Sequence, residues 1–320
     1  MKPCSCKVCK AKRGLTRAAK KLTGIHVRHN LPFYRATKVW FSKVNRQMKV
    51  GLNHLAMSIE KADAYAIVTD LVDWDKPRQE GKRIFPPHQV RVYSEAMGTA
   101  AELAKIKIPF NLPNKRAIAW SKQHITPFMQ DLVNQTRQGI QQLVTDALER
   151  GLSTREMARE VRRLDNFAMN PRQAKALGNY RGKLEGVKNR IATALKANNG
   201  NVTATIDQLG RTVPKTWVSQ VKAGKFNVDG RVAKEALKKE RYRAEMIART
   251  EVADAVSAGT LEGYKEANLE RVQWEAALDA CDICAGYDGN TYTVLEADGL
   301  QPAHCNCRCT WTPVVESIGV

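Results

Sequence analysis

The chain has 320 residues, 43% of them hydrophobic, enough to bury more than one core. No apolar run reaches the roughly eighteen residues that a bilayer-spanning helix needs, so a membrane partner is not expected. Fifty-two Lys and Arg against 32 Asp and Glu leave a net charge of +20, which points to a phosphate-rich partner.

The charge is unevenly placed. Residues 1–59 carry 14 basic and no acidic residues, and residues 60–230 carry 28 basic and 17 acidic. Residues 231–320 reverse the balance, with 10 basic and 15 acidic. The segments expected to meet DNA phosphates without sequence preference are therefore the N-terminal arm, through Lys2, Lys7, Lys10, Lys12, Arg13, Arg17, Lys20 and Lys21, and the basic middle of the chain. Residues 1–35 read as a basic Cys/His arm. Cys4, Cys6 and Cys9 with His26 could form a metal site, His29 also lying near, or the arm could be an exposed tail whose lysines bind phosphate.

From Ala36 the pattern turns helical. Trp40, Val44, Met48, Leu52, Leu55, Ile59, Ala62 and Ala66 form one apolar stripe, and Asp73–Pro77 ends it. Residues 74–88 read as a linker-like break, followed by a helix to about Ile108. Thr126-Pro127 then predicts a clean helix start, with Met129, Leu132, Val133, Ile140, Leu143, Val144 and Ala147 facing inward and Gly151 as C-cap. Ser153 and Glu156 predict a capping box, and Asn170-Pro171 predicts the opening of the next helix. Residues 197–214 read as a polar loop. A last long helix is expected over about Val232 to Glu266, in which Arg249 and Glu251 would tie it to its neighbours.

After Asn268 the period changes from 3.6 to 2. Val272, Trp274, Ala276 and Leu278 alternate with Arg271, Gln273 and Glu275 as a half-buried strand. Tyr292–Val294 and Thr310–Val314 predict two more. Between them lie Cys281-Asp-Ile-Cys284 and His304-Cys-Asn-Cys-Arg-Cys309, about twenty residues apart, a spacing suited to a structural Zn2+ site. Cys281 and Cys284 are the firm pair. His304 and Cys307, at i and i+3, complete the set, with Cys309 as alternate ligand and Cys305 the weakest candidate. A disulfide and free buried thiols are the competing readings. The chain shows no secretory signal, and clustered cysteines in a reducing compartment favour metal.

The expected fold is mostly α (α+β): a multi-helix body with long helices, followed by a small C-terminal zinc-stapled β-module. The segments are 1–35, a helical region 36–125, a central helical region 126–268, and the module 269–320. A zinc nuclease would need an acid/base cluster beside an open metal, and only His304 is near. A thiol–disulfide catalyst would need a βαβ setting around Cys281 and Cys284, and the flanks are strands and turns. A host DNA regulator would need a base-reading helix, and the acidic C-terminal end argues against one.

One ordered combination carries a resemblance. Pro171-Arg-Gln-Ala-Lys-Ala-Leu-Gly-Asn-Tyr-Arg181, Arg241-Tyr-Arg243, Ile247-Ala-Arg-Thr-Glu251, Trp274, the Cys281/Cys284 pair, Asp288-Gly289 and the 304–309 cluster occur in sequence. Over roughly residues 150–316 the chain resembles the Mu F-like minor head (head morphogenesis) proteins of tailed bacteriophages and prophages. That family's closing motif is usually His-Pro-Asn-Cys-Arg-Cys, and Cys305 stands here in place of the proline. The resemblance implies a non-enzymatic minor protein of the virion head, at the portal vertex and in the host cytoplasm during assembly. It would meet a portal, major capsid or scaffolding protein and the packaged double-stranded DNA.

Overall fold

The computed structural model describes residues 16–57, 73–109 and 111–314. The first helix, α1, spans Arg17–Met57. Thr16 caps it, its Oγ1 accepting from the Ala19 amide at 3.1 Å. Leu22, Ile25, Phe33, Trp40, Val44, Met48 and Leu52 are all buried along one face. The arm expected through residue 35 is therefore helix from Arg17 onward. Basic residues between the apolar positions hide the stripe in the sequence, because they occupy the other faces. Of the expected stripe, Leu55, Ile59, Ala62 and Ala66 lie outside the residues whose side chains are described.

Helices α2 (Asp75–Ile84) and α3 (Pro86–Leu103) replace the expected linker at 74–88. Prolines mark the break correctly but open helices rather than interrupt them. Pro77 sits in the first turn of α2, and Pro86 and Pro87 open α3, where a missing N–H costs nothing. Helix α3 ends at Leu103, short of Ile108, and Lys105 takes a positive φ of 60°.

Helix α4 runs unbroken over Leu112–Glu149, with Pro127 inside it, so Thr126 is not an N-cap. Pro127 and Gln123, whose carbonyl loses its intrahelical donor, are both exposed, so water can take that carbonyl. The predicted inward stripe from Met129 to Ala147 is buried throughout. Gly151 ends the segment with φ +77°. Helix α5 (Thr154–Arg162) carries the Ser153/Glu156 capping box, and α6 (Pro171–Ala197) is capped by Asn170 and Gln173 in the same reciprocal way. The polar stretch expected as a loop holds α7 (Val202–Leu209), capped by Asn201, and a 3-10 turn, Gly210–Thr212. Helix α8 is Lys215–Lys222 and α9 is Val228–Glu266.

The sheet is antiparallel with order β2-β1-β3: β1 Arg271–Glu275, β2 Thr291–Thr293 and β3 Thr310–Pro313. Val272 pairs with Tyr292 on one side and Pro313 on the other, and Trp274 pairs with Trp311. The first strand stops before Leu278, which is 50% exposed rather than part of a buried alternation. The fold is thus long helices followed by a small sheet.

The described residues cluster into two compact units. The first comprises described residues of Met1–Trp40, Asp75–Asp131 and Tyr242–Val320. The second comprises those of Phe41–Trp74 and Leu132–Arg241. In the first, Phe85 stacks on Phe33 at 5.4 Å and meets Phe128 edge-on at 5.1 Å. Helix α9 lies backbone-close to α3 through Gly259 and Gly263. A Cβ on either would stand 2.4 Å from the Tyr93 carbonyl or 2.6 Å from the Met97 carbonyl. In the second unit, buried Asn45 bridges two elements, donating to Glu240 Oε2 at 2.8 Å and accepting from the Phe167 amide at 2.9 Å.

Candidate metal centre

The sheet sets the site. Trp274 and Trp311 pack edge to face at 5.2 Å, and Tyr292 lies 5.6 Å from Trp311. This core rests on Leu261 and Tyr264 of α9 and includes buried Cys284, Cys307 and Cys309. Trp311 Nε1 donates to Ser257 Oγ at 3.0 Å, fixing β3 against α9.

Cys281 caps a short helix, α10 (Asp282–Tyr287), rather than standing in a turn. Cys284 follows one turn later, so both thiols emerge on one side. Asp288 ends α10 and accepts from the Ala276 amide at 2.9 Å. Gly289, at φ +84°, then donates to the Trp274 carbonyl at 2.9 Å. These bonds hold the knuckle against β1. On the other side, Asn306 takes φ +67° and its amide donates to Thr250 Oγ1 at 3.2 Å. The Cys307 amide donates to the His304 carbonyl at 3.1 Å, closing a tight turn.

His304 Nδ1 donates to the Cys305 carbonyl at 2.7 Å. That leaves the Nε2 lone pair facing the thiols, at 3.1 Å from Cys281 Sγ and 3.0 Å from Cys284 Sγ. Cys284 Sγ stands 3.8 Å from Cys307 Sγ. The donor atoms fall into two groups of three that share Cys284: Cys281, Cys284 and His304, and Cys284, Cys307 and Cys309. Cys305 is exposed and belongs to neither.

This donor set fits a tetrahedral ion. With Zn–S bonds of about 2.3 Å, two thiolates of one tetrahedron stand about 3.8 Å apart, the spacing seen between Cys284 and Cys307. The two edges to His304 are shorter, so binding would push the imidazole outward. Thiolates with one imidazole suit zinc by softness. The electrostatics separate the two competing thiols. A hydrogen bond from Cys309 holds the Cys307 thiol well below its usual range, and the same bond, with burial, pushes Cys309 up. Both sulfurs belong to the second donor group. Burial pushes Cys284 up to about 12.

The other expected site residues are placed differently. Cys4, Cys6, Cys9, Lys2, Lys7, Lys10, Lys12 and Arg13 lie outside the described residues. His26 is buried on α1, and burial, then the nearby Arg308, lowers its pKa to about 4. It lines a cavity of about 180 Å³ with Thr23, Asn30, Arg249 and Arg308. His29 bonds Glu95 Oε2 at 2.5 Å. Arg17 and Lys20 are exposed, whereas Lys21 pairs with Glu102 at 2.5 Å.

Arg249 pairs within its own helix, with Glu245. Glu251 does reach neighbours: its Oε2 accepts from Gln89 Nε2 at 3.3 Å and lies 3.0 Å from His124 Nε2. His124 Nδ1 is 3.3 Å from Asp254, and its ring stacks on Trp120 at 4.6 Å. Burial pulls His124 down, but its hydrogen bond to Glu251 and the two carboxylate charges outweigh that and raise its pKa. Ser121 Oγ donates to Gln89 at 2.8 Å rather than to His124, so the cluster lacks a nucleophile joined to a base. The sequence reading missed this cluster. The signal was Glu251 and Asp254 one turn apart on a helix, a carboxylate pair in need of a cation.

No curated protein and no solved structure matches the chain. A family model described as phage Mu protein F like protein matches residues 138–312, more than half of the chain. The matched stretch contains α5 to α10, the sheet up to the last residue of β3, and every described cysteine and histidine of the candidate metal centre. The chain belongs to the phage Mu protein F-like family of head morphogenesis proteins.

Proposed function

We propose that this chain is a structural minor protein of a tailed-phage head, without enzymatic activity. It sits inside the virion head at the portal vertex and binds the portal protein or a neighbouring capsid or scaffolding protein. It also contacts packaged double-stranded DNA without sequence preference, and acts in procapsid assembly or in packaging and ejection. Before incorporation it resides in the host cytoplasm.

The observation that carries this reading is the donor set at the end of the family stretch. Cys281, Cys284 and His304 form one donor group and Cys284, Cys307 and Cys309 a second that shares Cys284, so Cys281, Cys284 and His304 with Cys307, or with Cys309 in its place, would fill all four positions of a Zn2+ ion. A catalytic zinc keeps one position open for water. The ion would supply a cross-link between α10 and the 304–309 turn, joining two segments that otherwise share few bonds. The acidic balance of residues 231–320 suits docking on protein, and the basic balance of the preceding residues suits phosphate.

The test uses the full-length chain. Removing residues 1–59 would strip α1 and its buried Trp40, so the arm is tested by substitution instead. Lys2, Lys7, Lys10, Lys12 and Arg13 changed together to Gln should weaken DNA binding and leave incorporation into heads intact. Loss of incorporation would overturn the assignment of partners to ends. DNA cleavage in zinc and magnesium that a chelator stops would overturn the structural role.

A further inference from the structure

We propose that the outer face of α6 is a docking surface for the phosphate backbone of duplex DNA. The proposal rests on the reading that this protein meets packaged DNA, and it places a principal contact outside the N-terminal arm.

Helix α6 carries Arg172, Lys175, Arg181, Lys183, Lys188, Arg190 and Lys196 against a single acid, Glu185. Arg181 is spent inside the protein: it is buried, its Nη1 donates to Asp229 at 2.8 Å, and its Nε stands 3.2 Å from Glu160. The other six cations are exposed and have no ion pair among the described residues. At 100° per residue, Arg172, Lys175, Lys183 and Arg190 fall within an arc of about 80° and along about 27 Å of helix. That length is most of one turn of B-DNA, about 34 Å. The buried residues Ala174, Leu177, Arg181, Leu184 and Leu195 lie on the opposite side, and Ile191 and Ala194 are buried only past the C-terminal end of the row, so from Arg172 to Arg190 the cations face away from the core.

The remaining positions of the row are small or neutral. Asn179 and Gly186 are exposed between the cations, and Gly182 lies at its edge. A Cβ on either glycine would meet nothing within 4 Å. Glycine in an exposed helix interior costs about 1 kcal/mol relative to alanine, and no packing among the described residues offsets it. The result is a shallow cationic row with no carboxylate among its own positions.

Comparison with α1 shows why this surface stands out. Helix α1 holds nine basic and no acidic residues, yet Lys21 is paired with Glu102, Arg28 with Glu95 and Lys49 with Asp165. A cation already held by a carboxylate releases no counterion when DNA arrives. Four unpaired cations in a row are the arrangement that produces a steep salt dependence.

The experiment is a mobility-shift titration on a duplex at several salt concentrations. It compares the full-length protein with R172Q/K175Q/K183Q/R190Q and with a control, R211Q/K215Q/K222Q/K225Q. The control removes the same charge from exposed positions outside α6. Each phosphate that is no longer neutralised lowers the slope of log K against log salt by about 0.9. The α6 variant should therefore lose roughly 3 to 4 units of slope, and the control should keep the wild-type slope. Far-ultraviolet dichroism checks that both variants keep their helices, which follows from the exposure of the substituted side chains. An α6 variant that binds as wild type does, or a control that loses as much, overturns the proposal; the row would then face an acidic protein or act only through net charge. If the wild-type protein itself does not bind at low salt, the DNA reading fails first, and the two failures are told apart.

Discussion

The metal module and the helical unit around α6 are held by different means. The module has strands of five, three and four residues, too short to be stable as a sheet alone. Two tryptophans and a cluster of thiols fill its interior, and a bound ion would close its two loops. The helical unit has no such cross-link among its described residues. It relies on apolar stripes, reciprocal caps and one buried guanidinium shared among Glu160, Glu185 and Asp229. A short irregular segment needs a strong local constraint, whereas long amphipathic helices distribute stability over many weak contacts.

The largest separation between the two regions is expected from Cys284→Ser. Cys284 is buried and belongs to both donor groups, so its loss removes the shared corner of the site. Zinc measured by mass spectrometry should fall from one ion per chain to near zero. Emission from Trp274 and Trp311 should shift to the red while dichroism at 222 nm is largely kept. A loss of helical signal as large as the change in emission would show that the regions are not separately held. Chelation of the wild-type protein should produce the same pattern, reversed by added zinc.

Arg181→Met strikes the other region. It removes the buried cation that joins Glu160, Glu185 and Asp229, leaving Arg150 on the glutamates and Arg163 on Asp229, so the loss should stay below the roughly 3–5 kcal/mol of a fully broken buried pair. The urea midpoint of the helical unit should fall while zinc content stays at the wild-type level. There is also a pH consequence. Burial raises the pKa of Asp229, but Arg181 and Arg163 outweigh it and hold the carboxyl below its ordinary value. A depressed folded pKa adds stability above the unfolded value of about 3.9 and loses it as pH falls through the folded one. The wild type should therefore lose stability below about pH 4 by a step that is smaller in Arg181→Met, where only Arg163 still holds Asp229.

Gly139→Ala acts in the same unit with a smaller effect. Its Cβ would stand 2.0 Å from the Met169 carbonyl, a backbone atom that cannot swing aside. Overpacking of this kind costs about 1–3 kcal/mol. Thermal unfolding should register it as a lower midpoint, and an unchanged midpoint would mean that the 165–170 segment yields freely.

Much of this was legible in the sequence, and the misses share a cause. The Cys281/Cys284 and His304/Cys307 pairs were readable because donor chemistry and spacing are local. The caps at Ser153 and Asn170 were readable for the same reason. The α1 start at Arg17 was missed because Lys20, Lys21 and Arg28 break the eye's stripe while Leu22, Ile25 and Phe33 keep it. Pro127 and the 74–88 prolines were misread because proline reports a missing N–H, and only exposure or position within the first turn decides whether that matters. The His124–Glu251–Asp254 cluster joins residues more than a hundred positions apart, and such a meeting is not a property of spacing.

The smallest predicted effect tests how far local legibility translates into stability. Asn170 Oδ1 accepts from the Gln173 amide at 2.9 Å, and Gln173 Oε1 accepts in turn from the Asn170 amide at 3.2 Å. Asn170→Ala removes the first bond and strands an amide in the first turn of α6, which costs about 1 kcal/mol. Pro171 keeps the helix start in register, so the loss should appear as a modest fall in urea midpoint with an unchanged m-value. The contrast with Cys284→Ser then has a direct reading. Both residues are recognisable from the sequence alone, but the cap acts at one of several helix ends in its unit, whereas the thiol is the donor shared by both groups of the candidate site. If the cap substitution matched Arg181→Met in size, α6 would depend on its N-terminus more than on its buried face, and the distributed-contact account of the helical unit would fail.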